Sequence, residues 1–582
     1  MKNLLTLKKY FVKYKTELFW GILFILISNA ATVFLPILLK DSINELQKHT
    51  TSQILLKYAL LIVGTSIIAG IFRYLIRQTI IVVSRKIEYD LRGDFWEHIQ
   101  KLPLRYFQNN STGNIMSHAT NDINAVRMFI GPSVMYSIDT SIRLVIVVAI
   151  MLSINFSLTI YALIPLPILS YGVYRIGKLI HEKYTKIQEN FSQLTTRAQE
   201  NFSGIRVIKS YVREANEIIR WNELSKEYLR KNMNLVRVQA IIMPTLYMIT
   251  GISIIVVIWI GGGKVITGEI NLGEIAAFLM YLGILIWPMI AFGWVMNIIQ
   301  QGEASMKRLN KIFREPYEIV DSSASDYSIK ELKGEIELKN VSFKYSDSLP
   351  EVLTDINLKI PTGSTLAIVG HTGSGKTSLI NLIPRLYEVN SGDIFIDGKN
   401  AKDIPLDVLR TNVAVVQQES FLFSDSIYGN ISYGLKDIDK QRVHEVSRIA
   451  NFDKDVESFP NGYETIVGER GITFSGGQKQ RASLARALAT NPKVLILDDS
   501  FSAVDTHTEE EILRNLKEFM KNRTSIIISH RISTVKDADK IIVLSDGLIA
   551  EEGTHDKLVE LNGIYADLHY KQLLEKELEE LN

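Results

Sequence analysis

Long apolar runs fill the first half of the chain, and short alternating runs fill the second. A helix needs about 20 mostly apolar residues to cross a membrane. Six segments meet this requirement, at residues 18–40, 54–80, 130–154, 157–180, 240–262 and 274–300. Few charges interrupt them, whereas buried helices of soluble proteins are usually shorter and more strictly amphipathic. The pattern predicts an all-α, six-helix transmembrane domain over residues 1–310.

Basic residues are concentrated after the second and the fourth of these spans. The first stretch includes Arg85, Lys86 and Arg92, and the second is richer still in Lys and Arg. The connections on the other side are short and nearly free of them, with Lys48 and Lys264 as exceptions. Because basic residues favour the cytoplasmic side, both termini are predicted to be cytoplasmic. No targeting peptide is recognised, which favours a multi-pass protein of a prokaryotic plasma (inner) membrane.

Both basic stretches are predicted to be pairs of helices that continue the spans and meet at a turn. The turns fall at NNSTGN, residues 109–114, and at NFSGIR, residues 201–206. About 25 helical residues reach roughly 35–40 Å at 1.5 Å per residue. Such projections can carry force to a soluble domain, and their helix formers argue against unstructured basic loops.

The first 15 residues carry Leu4, Leu7 and Phe11 at helical spacing, with lysines on the opposite side. This pattern suits an amphipathic helix on the inner membrane surface. A plain extension of the first span is the alternative.

The chain of 582 residues is too long for one hydrophobic core, so at least two domains are expected. A Ser/Asp-rich stretch at 311–333 indicates a linker, and alternating strand-like residues begin a second domain over 334–582. The sequence contains no cysteine, which excludes disulfides, thiolate metal sites and a cysteine nucleophile. A net charge of +2 gives no sign of a nucleic-acid partner.

A strand-like run, STLAIVG, leads into GHTGSGKT and then into a helix-like run. This is the context of a phosphate-binding loop, in which glycines let backbone amides approach phosphate oxygens. Lys376 should reach the β- and γ-phosphates, and the Thr377 hydroxyl should bind Mg²⁺. The predicted ATP-binding residues of this segment are Gly370, His371, Thr372, Gly373, Ser374, Gly375, Lys376, Thr377 and Ser378.

A second apolar strand, VLILDDS, ends at two aspartates. Asp498 should lie beside the phosphate loop as a partner of Mg²⁺. Asp499 is placed to polarise the attacking water, and a helix-capping role is the alternative.

A second glycine-containing segment that could contact phosphate is FSGGQ, at residues 474–478, which precedes a helix-like run. The first loop already serves the phosphates of its own site. The predicted contacts of Ser475, Gly476, Gly477 and Gln478 therefore suit a nucleotide held by another copy of the domain.

These motifs, in this order, identify the chain as a member of the half-size ABC exporters, of the multidrug-exporter and lipid-flippase type. The resemblance covers essentially the whole chain and implies an α/β P-loop NTPase domain with a helical subdomain around 420–490. It implies that two such domains sandwich two ATP molecules, and that the turns at 109–114 and 201–206 are coupling helices. FSGGQ resembles the signature motif LSGGQ, with Phe474 in place of leucine.

The resemblance also implies roles for residues outside the phosphate loop. Tyr345 would stack on adenine, and Gln418 would sense Mg²⁺. His530 would touch the γ-phosphate, and SAVD at 502–505 would join the two domains. Ile466, before VGERG at 467–471, departs from the acidic residue usual there.

Asp499 stands where the family normally has a catalytic glutamate. Losing one methylene retracts the carboxylate by roughly 1–1.5 Å, and a misplacement of about 1 Å can cost about 100-fold in rate. Slow chemistry is therefore expected. Aspartate here resembles the weaker-site subunit of heterodimeric exporters, and a homodimer with slow sites is the alternative.

Charged and aromatic residues in the spans are candidate substrate contacts, although they do not identify a substrate, and some of the aromatic residues would instead form interfacial belts or helix packing. Asp139 and Arg143 share a helix face and form either an ion pair or a substrate contact. Arg73 and Arg77 could meet lipid phosphates or extend to the interface. The aromatic residues of the last two spans suit hydrophobic or amphipathic compounds.

The predicted function is ATP-driven export of such compounds by a dimer of half-transporters. A weakly hydrolysing regulatory half and a lipid flippase are the alternatives. The six spans exclude a soluble ATPase, and an importer is disfavoured because its membrane and ATPase parts are usually separate chains.

Overall fold

The computed structural model describes residues 2–48, 51–468 and 474–580, with the backbone alone for residues 2, 166–170, 173, 174, 246 and 575–580. The chain divides into two compact units. Unit 1 comprises residues 1–98 and 113–314, and unit 2 comprises residues 99–112 and 315–582.

Helices alone form the described part of the chain up to Arg314. They are α1 (Lys8–Lys13), α2 (Lys15–Gln47), α3 (Ser52–Ile76), α4 (Val82–Gln100), α5 (Leu104–Asn109), α6 (Thr112–Ser117), α7 (Ile123–Met128), α8 (Val134–Ile154), α9 (Phe156–Leu163), α10 (Pro165–Ser203), α11 (Ile205–Ser210), α12 (Glu214–Gln239), α13 (Ile242–Ile266) and α14 (Leu272–Phe313).

Five helical stretches in the described residues are long and apolar enough to cross a membrane. They are Lys15–Gln47, Ser52–Gln100, Thr112–Ile154, Glu214–Ile266 and Leu272–Phe313. The predicted fourth span, 157–180, falls on α9 and α10, and part of its side chains lie outside the described residues. The described spans match the other five predictions in position.

The two predicted cytoplasmic turns coincide with interruptions of the helices. At the first, Asn110 is extended between α5 and α6. At the second, α10 ends at Ser203 and the short α11 follows. Val212 then adopts a left-handed conformation with φ of 52° before α12 begins. The second turn is therefore wider than the sequence predicts.

The N-terminal segment packs on helices of unit 1. A 3₁₀ helix over Lys2–Leu7 leads into α1, and a single break at Tyr14 separates α1 from α2. Tyr10 is buried, and its hydroxyl donates to Asp94 of α4 at 2.6 Å. Lys13 pairs with Asp90 of α4, also at 2.6 Å. The geometry favours the extension of the first span over a separate membrane-surface helix.

Three π-helical turns allow the helices of unit 1 to approach closely. They are Arg77–Ile81, His118–Asp122 and Phe129–Ser133. A Cβ atom on Gly21 would lie 2.5 Å from the Ile80 side chain, and one on Gly302 would lie 2.7 Å from Phe129. Only glycine fits at these contacts, so α2 and α14 pack directly against the widened turns.

The described residues of unit 2 form two sheets. Their strands are β1 (Ile336–Phe343), β2 (Leu353–Ile360), β3 (Thr365–Val369), β4 (Ser391–Ile396), β5 (Lys399–Asn400), β6 (Val413–Val416), β7 (Val494–Asp498), β8 (Thr524–Ile528), β9 (Lys540–Ser545) and β10 (Leu548–Gly553). The larger sheet has the order β10-β9-β3-β8-β7-β6 and the smaller β2-β1-β4-β5. Strands β7 and β8 are buried along their whole length, as expected for parallel strands covered on both faces.

The helices of unit 2 that follow the phosphate loop complete the α/β fold. They are α15 (Lys376–Leu382), α16 (Leu406–Asn412), α17 (Ile427–Ile431), α18 (Lys440–Ile449), α19 (Asp453–Glu457), α20 (Gly476–Ala489), α21 (Thr506–Met520), α22 (Ile532–Val535), α23 (His555–Glu560) and α24 (Ile564–Glu580). Of these, α17 to α20 occupy the interval predicted as a helical subdomain.

Asp139 and Arg143 of α8 form an ion pair with a third member. An Arg143 amino group lies 3.0 Å from Asp139 Oδ2. The fully buried Asn29 of α2 donates to Asp139 Oδ1 at 3.0 Å and accepts from Arg143 Nε at 2.9 Å. The polar groups are thus satisfied inside an apolar helix pair, which favours the ion-pair interpretation.

We expect Asp139→Leu and Arg143→Leu to destabilise the protein by about 3 kcal/mol each, because either change leaves a largely buried charge without its ionic partner. The double variant should regain most of that loss. Thermal melting in lipid measures both effects, and fully additive losses would contradict the ion pair. Glu45→Leu and Lys48→Leu remove an exposed ion pair and serve as the control.

Candidate nucleotide site

Two glycines of the phosphate loop are required by close packing. Gly370 has a φ of 149°, and a Cβ atom there would lie 2.2 Å from the Leu544 carbonyl oxygen. Gly375 has a φ of 100°, and its Cβ would lie 2.8 Å from Leu353. Gly373 also has a positive φ, but the space beside its Cα is open. The loop is pressed against the sheet on one side and leaves room on the other.

Lys376 lies within this loop. Its ammonium donates to the carbonyl oxygens of Gly370 at 2.9 Å and His371 at 2.8 Å. The side chain is buried, and burial lowers the pKa of its ammonium. A buried cation held only by neutral oxygens in these contacts is suited to an anionic ligand such as a phosphate.

Thr377 and Asp498 meet where the loop approaches the end of β7. The Thr377 hydroxyl donates to Asp498 Oδ2 at 2.9 Å. Burial raises the pKa of Asp498, while the Thr377 hydrogen bond and the charge of Lys376 oppose the shift. A hydroxyl and a buried carboxylate side by side are hard oxygen ligands, and a divalent cation would offset the cost of burying the charge. The pair therefore fits Mg²⁺.

Asp499 follows directly in a left-handed conformation, with φ of 44°. Its backbone amide donates to the Ile528 carbonyl at 2.9 Å, which ties it to the end of β8. Gln418 donates to Asp499 Oδ2 at 3.3 Å, so the amide of this predicted Mg²⁺ ligand contacts Asp499. His530 is exposed two residues beyond β8, and its proximity is the smallest of the effects that oppose the raised pKa of Asp498.

Tyr345 is held beside α15. Its hydroxyl lies 2.8 Å from Ser378 Oγ, and either atom can donate. Its ring packs edge-on against Phe343 and Tyr387, with centroid distances of 4.9 Å and 5.3 Å. The sequence did not single out Tyr387, because nothing in the motif pattern marks an aromatic residue after the phosphate-loop helix.

The signature segment caps α20. Ser475 Oγ accepts from the Gln478 amide at 3.3 Å, and the Ser475 amide donates to Gln478 Oε1 at 3.0 Å. Gly476 and Gly477 pack on Ala503, where a Cβ on Gly477 would lie 2.9 Å from the carbonyl oxygen. This reciprocal cap fixes the start of α20.

Phe474 has a structural role that explains the replacement of leucine. It is buried, and its ring stacks on Phe459 with a centroid distance of 5.2 Å and an interplanar angle of 13°. The aromatic ring therefore fills the core of the helical subdomain.

Two further residues were missed by sequence reasoning. Buried Gln480 donates to Ser502 Oγ and accepts from the Ala503 amide, both at 3.0 Å, so it joins α20 to the SAVD segment. Asp455 accepts from Gln478 Nε2 at 3.1 Å and pairs with Arg481 at 2.6 Å. Gln480 lies in the FSGGQKQR segment just beyond the signature motif, and Asp455 lies outside the motifs, so neither was marked by its local sequence.

The predicted site residues thus fall into two groups. Lys376, Thr377, Asp498, Asp499 and Gln418 come together at one edge of the larger sheet. Ser475–Gln478 instead contact Asp455 and Ala503, and Ile466 is exposed. Of the VGERG segment, residues 469–471 lie outside the described residues.

We expect Asp498→Asn to raise the melting temperature of the nucleotide-free protein. Because burial raises the pKa of Asp498, the ionised carboxylate destabilises the fold above that pKa, and the difference between the two proteins should shrink as the pH falls through it. With MgATP at 100 times Kd, the parent should gain about 2.7 kcal/mol and the variant much less. An unchanged gain would contradict the assignment, and exposed Asp537→Asn is the control.

Comparison with known proteins agrees with this geometry. Residues 18–289 match the family described as ABC transporter transmembrane region, and residues 353–502 match the family described as ABC transporter. The chain is 36% identical to a probable multidrug resistance ABC transporter ATP-binding/permease protein, YheI, of Bacillus subtilis, over 97% of this chain and 96% of that protein. It is 35% identical to an ATP-dependent lipid A-core flippase of Syntrophus aciditrophicus, over 95% and 92%.

A solved structure described as a bacterial Atm1-family ABC exporter with ATP bound is also similar. It matches with a TM-score of 0.79 and 26% identity, covering 96% of this chain and 98% of that one. The chain therefore belongs to the ABC transporters, as an exporter-type half-transporter that couples ATP hydrolysis to transport across a membrane.

Proposed function

We propose that this chain is the slowly hydrolysing half of a heterodimeric exporter. Half-transporters of this family act as dimers. The observation that carries the proposal is Asp499, a carboxylate one methylene shorter than the family's glutamate. Its backbone is tied to Ile528 and its φ is 44°, so the main chain cannot move forward to make up the lost reach without breaking these contacts.

The phosphate loop binds and orients ATP in this proposal. Lys376 and the backbone of residues 370–378 hold the phosphates, and Tyr345 packs against adenine. Thr377, Asp498 and Gln418 hold Mg²⁺, which supplies charge neutralisation on the phosphates when bound. Asp499 accepts a proton from the attacking water, and His530 contacts the γ-phosphate.

The second half of each ATP site comes from the partner chain. Ser475 and Gly476 are exposed at the start of α20, and their anchors lie on α19 and the SAVD segment. The intact Ser475–Gln478 signature of this chain would then complete the partner's site.

The turn between α10 and α12 carries exposed apolar side chains that could contact another polypeptide. Phe202, Tyr211 and Val212 are 79%, 74% and 80% exposed in the single chain. Apolar side chains at such a projecting tip are suited to dock on another polypeptide. A chain that carries this tip outside the membrane is expected to act with a partner.

The substrate class is hydrophobic or amphipathic, with a small molecule or a lipid as candidates. Tyr247 and Trp259 of α13 and Phe292 of α14 are more than two-thirds exposed. Arg73, Arg77 and Asp139 line a cavity of about 70 Å³ between α2, α3 and α8. The exposed rings suit the apolar part of such a substrate, whereas the cavity is smaller than the roughly 300–1,000 Å³ of a ligand pocket.

ATP hydrolysis by the chain alone in lipid should be slow, although MgATP binds. Asp499→Glu should raise kcat by about 10- to 100-fold, because it restores the reach of the carboxylate. Asp499→Asn should abolish the residual activity. A colorimetric assay of released phosphate measures the ATPase rate of the parent and of both variants.

Fast turnover by the parent, lost on Asp499→Asn, would overturn the proposal in favour of a working homodimer. Melting temperatures are compared in parallel, because aspartate tolerates a left-handed conformation better than glutamate.

The absence of native cysteines makes the membrane topology directly measurable. We expect an impermeant maleimide to label Glu269→Cys in intact cells, because this exposed residue lies in an outer connection. Ser210→Cys, exposed in a cytoplasmic turn, should react only after permeabilisation. The reverse pattern would contradict cytoplasmic termini.

A further inference from the structure

The C-terminal helix α24 is anchored at its first turn to β10. The Glu551 carboxylate accepts from the backbone amides of Ile564 and Tyr565, the latter at 3.0 Å. The Tyr565 ring is fully buried, and its hydroxyl lies 2.8 Å from His555 Nδ1. The helix therefore leaves the sheet in a defined direction.

About two turns along this helix, Gln572 contacts the segment that carries His530. Its Oε1 accepts from the Ile532 amide at 2.8 Å, and its Nε2 donates to the His530 carbonyl. One side-chain amide thus bonds the backbone on both sides of the Cα of Arg531. The contact joins residues 40 and 42 positions apart.

The contact with Gln572 satisfies a backbone amide at the start of the helix that follows His530. Helix α22 begins at Ile532, and its N-cap residue Arg531 provides no side-chain cap. The first amides of a helix have no partner within it. Gln572 supplies an acceptor for one of them from another element.

The other neighbours of His530 are also fixed. The Arg531 amide donates to Ser529 Oγ at 3.0 Å, and the Arg531 side chain pairs with Glu509. Thr534 donates to the other Glu509 oxygen at 2.6 Å. His530 consequently carries an exposed imidazole on a backbone that is held from both sides.

We propose that Gln572 is a positioning residue for His530, through which α24 sets the direction of the imidazole toward the nucleotide. The inference rests on the proposed role of His530 at the γ-phosphate. Gln572 does not touch the nucleotide in this scheme. It fixes the carbonyl of His530 and the start of α22, and thereby the Cα–Cβ direction of the histidine.

The test compares Gln572→Met, which keeps the length of the side chain and loses both hydrogen bonds, with Gln572→Glu. The glutamate keeps an acceptor for the Ile532 amide and loses the donor to the His530 carbonyl. Lys571→Met, an exposed neighbour on α24, is the matched control. All are made in the full-length Asp499→Glu chain in lipid, so that turnover is measurable.

For Gln572→Met, kcat for ATP should fall by about 5- to 50-fold while KM changes less than about twofold, because alignment in the transition state is lost and not binding. The kcat of Gln572→Glu should lie between those of Gln572→Met and the parent, and the kcat of Lys571→Met should match that of the parent. Hydrogen exchange of a peptide spanning 529–535 should become faster in Gln572→Met without ATP. Exchange in the first turn of α24 should stay slow.

Unchanged exchange at 529–535 would overturn the inference, as would an unchanged kcat. A fall in kcat matched by a loss of MgATP binding or of folded protein would also overturn it, since that is a purely structural role. If the Asp499→Glu chain itself lacks ATPase activity, the predicted gain in kcat from the longer carboxylate fails. Hydrogen exchange at 529–535 in the Gln572→Met variant then still tests whether Gln572 holds the backbone around His530.

Discussion

The pairing of three parallel strands at the centre of unit 2 is the constraint on which the nucleotide site depends. In the observed register, Ile528 of β8 lies opposite both Ile368 of β3 and Asp498 of β7. Strands with the same direction end at the same edge, so the segments that follow them emerge together. The phosphate loop, the aspartate pair and the His530 segment are those segments. Their chemistry follows from the register, and the register follows from apolar runs that must be buried on both faces.

The site assembled at this edge departs from the family pattern at Asp499, which is one methylene shorter than the usual glutamate and whose backbone amide is held to β8. The signature residues are anchored to Asp455 and Ala503, on elements that do not belong to the strand ends. In the proposed function, such a chain contributes one half of each of two sites. Under that proposal, closure with a second chain belongs to the chemistry of the protein as well as to its assembly.

Unit 1 shows how polar groups are accommodated where helices are apolar. Asn29, Asp139 and Arg143 satisfy each other between α2 and α8, so a charge in a predicted span need not indicate a substrate. At the π-helical turns, Gly21 and Gly302 permit contacts that any side chain would block. Together these features hold α2, α3, α8 and α14 in close contact while leaving Arg73 and Arg77 exposed beside a cavity.

Much of the fold and of the candidate site was predictable from the sequence, because the relevant signals are local. A run of 20 apolar residues, or a strand followed by GHTGSGKT and a helix, has one stable structural solution. Lys376, Thr377 and Asp498 could be named from such patterns, and the structure places them together. The fourth span and the loop after Gly468 are not decided by the described residues.

Other features depended on the tertiary structure, because they join residues that are far apart in the chain. No periodicity indicates that Gln572 reaches His530, that Asn29 joins an ion pair 110 positions away, or that the N-terminal lysines meet Asp90 and Asp94. Phe474 could be read only as a tolerated change until its ring was seen on Phe459. The sequence alone determined which chemical groups end β3 and β7 and where most of the apolar helices lie. Packing decided which of these groups touch, since a contact depends on the relative positions of whole elements and not on the residues beside it.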